Sequence, residues 1–219
     1  MKISTEARPI KRRLNERRSG RPEGRKAENN ALKTNVAMNL RPDNDIIYMA
    51  LDISTVSTGY AIMDAGGRLL NYGVIRAAGS IPERLKIMRD DIIIILNKYK
   101  PTICAIEDMI SFKFGHVAKL LNYFNGVAYL CCYDYNGNDI IFITSSAMKA
   151  SIGVNPRALK KAGYDRAGIK EIVYNKICEI YHIKIFEDDP DYKYRHDIAD
   201  AILCAHKLLI NLKGTKCNT

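Results

Sequence analysis

The stretch IIYMALDISTVSTGYAIMDAGGRLLNYGVI, residues 46–75, decides the fold. It opens as a continuous apolar run that ends at an acid, Asp52, resumes as TGYAIMD, turns at Gly66-Gly67 and leaves as RLLNYGVI. Short apolar runs separated by glycine turns predict three successive antiparallel strands.

Downstream the apolar period changes. PERLKIMRDDIIIILNKYK puts Leu85, Met88, Ile92 and Ile95 on one helical face, and Pro101 stops it. TICAIED reads as a buried strand, again closing in acids, and after the loop ISFKFG the segment HVAKLLNYFNGVAYLCCYDYN reads as a helix whose Ala118, Gly126 and Ala128 permit close packing. NDIIFIT is a fifth strand. SSAMKASIG predicts a short helix, NPRALKKAGYDRAG a polar and basic connection, and IKEIVYNKICEIYHI another amphipathic helix. The last helix is KYRHDIADAILCAHKLLI, residues 193–210. Three antiparallel strands followed by strands alternating with helices define an α/β fold, a mixed five-stranded sheet flanked by helices. Acids at the ends of buried strands meet in one crevice of such a sheet.

At 219 residues and 47% hydrophobic content the chain can bury one well-formed core. Its formal net charge of +10 makes a polyanion a plausible partner, although a merely soluble basic protein would look the same. The charge is uneven, because residues 1–45 hold 12 Lys or Arg against 6 Asp or Glu. That arm contains Pro9, Gly20, Pro22 and Gly24 and has little apolar periodicity, so disorder is expected over 1–45, a folded domain over 46–212 and a tail over 213–219. SGRPEGRK in the arm shares Gly-Arg-Pro with minor-groove-binding AT hooks, but a solvated tail or generic phosphate clamp is the plainer reading. No apolar run approaches the ~18 residues needed to cross a membrane, and the N-terminus lacks the apolar core of a secretory signal. The six cysteines include no Cys-x-x-Cys pair, and five sit in apolar surroundings that suggest core packing, so a reducing cytoplasm is expected.

Asp52 or Glu107 alone could simply mark a strand end. Asp197 and Asp200, however, lie one turn apart on a predicted helix, where two carboxylates repel unless something positive lies between them. The four together, each embedded in apolar sequence, suit a shared divalent cation. Such a cluster serves phosphodiester hydrolysis by two Mg²⁺ ions roughly 4 Å apart. The hard oxygen donors favour Mg²⁺, or Mn²⁺ as a substitute, over zinc, whose His and Cys spacing is absent.

With those residues in view, the chain resembles the RuvC type of Holliday junction resolvase, within the RNase H-like nucleases, over about residues 46–210. ALDISTVSTGYAIMD matches the family's first motif, a strand ending in Asp followed by a Thr-Gly-Tyr turn; AIED matches the second, and HDIADA the last. The resemblance implies Asp52, Glu107, Asp197 and Asp200 as metal-binding acids. It implies phosphate contacts from Ser146 to Lys170, with Lys149 and Lys170 the nearest matches to the family's lysines, and Arg166 within the same segment. It also implies a homodimer, Mg²⁺ dependence with two ions per site, and cleavage of branched DNA, chiefly four-way junctions, that leaves 5′-phosphate ends.

Three departures stand out. Ser54-Thr55 occupies the place of a usual Pro-Gly, so the local turn differs. Ile110 stands where the family has a stacking aromatic, a role that Phe112 or Phe114 could take, although both could equally anchor the loop. NPRALKKAGY adds Arg157, Lys160 and Lys161 to the basic connection, which fits either broad backbone contact or a solvated loop. His196 could position water or phosphate, with a helix-start role the plainer reading. The rival readings are another RNase H-like enzyme acting on RNA–DNA hybrid or a broad range of branched DNA, as a viral relative would, a strand-transfer enzyme, an actin-like ATPase, or a non-catalytic branched-DNA binder.

Overall fold

A computed structural model of the chain describes residues 46–108, 115–137, 139–184 and 189–216. The N-terminal arm, the loop bearing Phe112 and Phe114, and residues 217–219 lie outside the described residues. The element order is β1 (Ile47–Asp52), β2 (Ser57–Asp64), β3 (Leu69–Arg76), α1 (Ile81–Tyr99), β4 (Ile103–Asp108), α2 (His116–Asn136), β5 (Ile140–Thr144), α3 (Ser145–Ser151), α4 (Pro156–Lys161), α5 (Arg166–Tyr181) and α6 (Arg195–Lys216), with a 3-10 turn at Tyr192–Tyr194 before α6.

The five strands form one sheet in the order β3-β2-β1-β4-β5. β1, β2 and β3 pair antiparallel, whereas β4 lies parallel to both β1 and β5. A parallel neighbour needs a crossover, and α1 and α2 supply the two. The expected mixed sheet is therefore observed.

Side chains alternate across each strand, so the sheet has two separate apolar faces. Met49, Leu51, Ile62, Cys104 and Ile106 face α1 and α2, where Met88, Ile92, Leu96, Phe124 and Cys132 cover them. Tyr48, Ala50, Ala61, Met63, Ile103 and Ala105 face the other way, against Ile198, Ala201, Ile202, Ala205 and Leu208 of α6 and residues of α3 and α5. Among the sheet residues on this face Ala50, Ala61 and Ala105 are small, which lets α6 lie close there.

Local details refine the sequence reading. Leu96 joins Met88, Ile92 and Ile95 among the buried residues of α1, with Leu85 partly buried against the same core, and the helix ends with Lys100 in a left-handed conformation (φ 49°) before Pro101. The basic connection contains a helix, α4, because Asn155 accepts hydrogen bonds from the Arg157 and Ala158 amides and Pro156 occupies its first turn. Thr58, Gly59 and Tyr60 lie within β2, as the strand read from TGYAIMD predicts and unlike the turn in the family motif. At the C-terminal end α6 continues through Lys216, past residue 212.

Candidate active site

Alternation places the acids. Asp52 follows Tyr48 and Ala50 on β1, and Glu107 follows Ile103 and Ala105 on β4, so both carboxylates emerge on the face covered by α6. Asp52 pairs with Gly59 on one side, and the parallel register of Leu51 with Ile106 brings Glu107 alongside it on the other. From across the layer α6 supplies Asp197 and Asp200 from its first two turns. A Cβ on Gly59 would lie 2.1 Å from the Asp197 carbonyl oxygen, so the bare backbone of β2 lets this end of α6 approach the sheet. Asp108 falls on the opposite face by the same alternation and stays out of the group.

The charges are strongly coupled. Burial pushes the Asp52 carboxyl well above the usual carboxylate range, and repulsion from Glu107, a hydrogen bond with Glu107, and the charges of Asp200 and Asp197 push the same way. Asp200 is only 8% exposed. Burial raises its carboxyl too; Lys149 and Lys170 oppose the rise, while Glu107 and Asp197 add to it. Asp197 is held differently: Ser57 Oγ donates to its Oδ2 at 2.6 Å, and Lys170 Nζ lies 3.9 Å from its Oδ1. Cys204, one turn further along α6, is a buried thiol whose ionisation is pushed far up by burial and by the carboxylates above it.

Of the expected basic residues, Lys149 on α3 and Lys170 on α5 join the acids, and Lys149 also bonds Ser145 Oγ. Arg157, Lys160, Lys161 and Arg166 are exposed side chains of α4 and the start of α5. Phe112 and Phe114 lie outside the described residues. His196 turns to α5, where its Nε2 lies 2.9 Å from Glu171 Oε2 and its ring meets Tyr174 edge-on. Arg195 Nη2 donates to the same carboxylate oxygen at 3.0 Å. The hydrogen bond with His196, reinforced by Arg195, holds the Glu171 carboxyl below its ordinary value against a smaller opposing effect of burial.

Sequence reasoning missed Ser57, Gly59 as a close-approach residue, and Glu171. The available signal for Ser57 and Gly59 was parity: both share a strand face with Ala61 and Met63.

Among the described residues, no three Asp, Glu, His or Cys side chains are gathered tightly enough to form a ready-made ion cage. The donor chemistry nonetheless fits a hard divalent cation. The carboxylates supply oxygen donors, and Asp52 and Asp200 are pushed toward protonation by burial and by neighbouring like charge that a cation would offset.

Comparison with known proteins gives the family. The model of the family described as "Crossover junction endodeoxyribonuclease RuvC" matches residues 48–164. A protein of that name from Fusobacterium nucleatum is 31% identical over 129 residues, which cover 57% of this chain and 63% of its own length, a little under two thirds. Another from Chloroherpeton thalassium is 27% identical over 171 residues, covering 74% of this chain and 82% of its own. In fold the chain is similar to the structure "T. thermophilus RuvC in complex with Holliday junction substrate", with a TM-score of 0.59 and 15% identity over 78% of this chain and 97% of that one. A family match across more than half of the residues, on the sheet whose α6 face gathers these carboxylates, means that the chain belongs to the RuvC family of crossover junction endodeoxyribonucleases.

Proposed function

We propose that this protein is a structure-selective DNA endonuclease that resolves four-way junctions by Mg²⁺-dependent phosphodiester hydrolysis. The observation that carries the reading is the convergence of Asp52, Glu107, Asp197 and Asp200 from β1, β4 and α6 on one sheet face, with Lys149 and Lys170 beside them. The four acids would hold two Mg²⁺ ions, or Mn²⁺ in their place, which when bound prepare a water for attack and stabilise the leaving oxygen. The protein's own part is positional and electrostatic. The sheet and α6 fix the carboxylates, Lys149 and Lys170 offset their charge and attract the scissile phosphate, and Arg157, Lys160, Lys161 and Arg166 hold the backbone farther along the strand. Phe112 or Phe114 would stack on an unpaired base.

A two-fold junction suits a homodimer that places two sites on opposing strands. The surface proposed for it is α2 from Lys119 to Tyr129. Support comes from exposed Tyr123, Tyr129, Leu130 and Tyr133 on that helix and from stacking of Tyr129 with Tyr133 and with Phe142 of β5, centroids 6.1 and 5.8 Å apart. Residues 1–45 would form a basic arm preceding the nuclease domain. No helix among the described residues is long and apolar enough to cross a membrane, and action on DNA in the cytoplasm accords with that.

The test is cleavage of labelled four-way junction, fork, linear duplex and RNA–DNA hybrid with Mg²⁺ or EDTA, for the natural protein beside Asp52→Asn and Asp200→Asn. Metal-dependent paired cuts confined to the junction and lost in both variants are expected. Binding without cutting under any metal would make this a branched-DNA-binding protein instead.

A further inference from the structure

The turn between β1 and β2 starts one residue after Asp52 and ends at Ser57, and it is braced from three directions. Ser54 Oγ accepts hydrogen bonds from the Ser57 amide at 3.0 Å and the Val56 amide at 3.3 Å, and donates to the Ser57 carbonyl. From α1, Arg84 Nη1 donates to the Thr55 carbonyl at 2.9 Å. From beyond β3, the Ala77 amide donates to the Val56 carbonyl at 2.9 Å. A turn held by a serine side chain, an arginine and a neighbouring strand end has little freedom to rotate Ser57.

Ser57 itself is a polar residue at 8% exposure on a strand face that is otherwise Gly59, Ala61 and Met63. A hydroxyl so placed needs a partner, and besides Ser54 Oγ at 3.4 Å it has Asp197 Oδ2 at 2.6 Å, 140 positions away in sequence. Hydroxyl-to-carboxylate bonds of this length are among the stronger neutral-to-charged kind. The other carboxylate oxygen, Oδ1, lies 3.9 Å from Lys170 Nζ. One oxygen is therefore pinned by a rigid turn while the other is directed toward the charged groups of the site. A clip that only docked α6 would need no carboxylate at all, since Ala201 and the Asp197 carbonyl already meet the sheet at Gly59.

We infer that Ser57 is a positioning residue of this site: its hydroxyl sets the orientation of the Asp197 carboxylate, and the Ser54-braced turn makes Asp52 and Asp197 one rigid unit. The inference rests on Asp197 being a metal-binding acid, as proposed above. Hydrogen-bonded partners of ligating side chains fix their orientation, and losing one costs roughly 10–100-fold in metal affinity or activity.

The experiment compares the natural protein with Ser57→Ala and Ser57→Thr, the latter keeping a hydroxyl on a side chain suited to a strand. Four readouts are taken: Mn²⁺ affinity of the full chain by calorimetry without DNA, junction affinity in EDTA, single-turnover junction cleavage across a range of Mn²⁺ concentrations, and the urea unfolding midpoint. Ser57→Ala is expected to weaken Mn²⁺ binding by about tenfold or more and to shift the Mn²⁺ midpoint of cleavage by the same factor. Junction affinity in EDTA stays unchanged, and Ser57→Thr restores both metal values. Natural metal affinity and midpoint in Ser57→Ala would overturn the inference. So would a loss that Ser57→Thr does not restore and that tracks a lowered unfolding midpoint, which would make the bond a structural clip. If the natural protein binds Mn²⁺ but cuts no junction, the nuclease reading fails while the calorimetry still decides the role of Ser57; if it binds no Mn²⁺, both fall.

Discussion

Gly59→Ala tests the geometry of the site with one methyl group. The added Cβ would sit 2.1 Å from the Asp197 carbonyl oxygen, 2.6 Å from its carbonyl carbon and 3.2 Å from Ala201 Cβ. Ordinary contact begins at 3.4 Å, so the two backbones must separate by about 1 Å or more, and because the atoms met are backbone, no side-chain rotation relieves the overlap. Overpacking of this kind costs about 1–3 kcal/mol, offset in part by the roughly 0.5–1 kcal/mol that alanine recovers over glycine within a strand. Stability should thus fall by about 1–2 kcal/mol, leaving the protein folded. Activity should suffer more, because Gly59 is the register partner of Asp52, and the displaced helix carries Asp197 and Asp200. A misplacement near 1 Å lowers rate on the order of a hundredfold. The assay pairs urea unfolding with single-turnover junction cleavage, using Gly214→Ala as control: there a Cβ meets nothing within 4 Å, and a small gain in stability with natural activity is expected. Gly59→Ala with natural stability and natural cleavage would refute the close approach of α6 to β2.

Further predictions concern charge. Asp52→Asn should be inactive yet more resistant to urea in EDTA, because burial and neighbouring carboxylates raise the Asp52 carboxyl in the folded state. A raised folded value means that natural stability is fully present below the unfolded value near ~3.9 and is lost as pH rises through the folded value. The advantage of the variant should therefore grow from acid toward pH 8; an advantage independent of pH would sink the explanation. Glu171→Gln should act with opposite sign. The Glu171 carboxyl is held low, so its contribution is present above its unfolded value, near ~4.3, and is lost as pH falls through the folded one. With the side chain 41% exposed the deficit at neutral pH should stay below about 1 kcal/mol and vanish in acid, as read from urea midpoints. Lys160→Ala combined with Lys161→Ala should weaken junction binding and flatten the dependence of log affinity on log salt by about one to two units, while an unchanged slope would place α4 off the DNA.

Much of this fold is written in local pattern. The first three strands follow from apolar runs and a glycine turn, and the period-2 rule assigns Asp52 and Glu107 to one face once Ala50 and Ala105 are seen to be core. The Asp197 and Asp200 pair is legible because three residues nearly complete a helical turn. Other features depend on distant partners. The Ser57–Asp197 bond joins residues 140 apart, and no local propensity distinguishes that serine from any strand-start serine. Gly59 reads as one residue of the TGYAIMD strand and no more, whereas its place here is set by a helix packed on that strand. α4 was masked by its charge: Leu159 is its one large apolar residue, so its evidence lies in the Asn155-Pro156 start and not in periodicity. Leu96 is fully buried near the C-terminal end of α1 although it lies outside the periodic set, while Leu85 packs, partly buried, against the same core.

The pairing of β1 with α6 has a consequence for biosynthesis. The two ends of the folded domain meet at the carboxylate group, so its completion requires contacts of very long sequence separation, the kind that form late. A nascent or truncated chain ending before residue 197 holds only Asp52 and Glu107 of the four acids, and the sheet face lacks the cover that α6 supplies beside α3 and α5. Such an intermediate exposes apolar surface that favours chaperone capture or aggregation. Under the proposed function it also lacks half of its metal-binding groups, which makes incomplete molecules inert as nucleases.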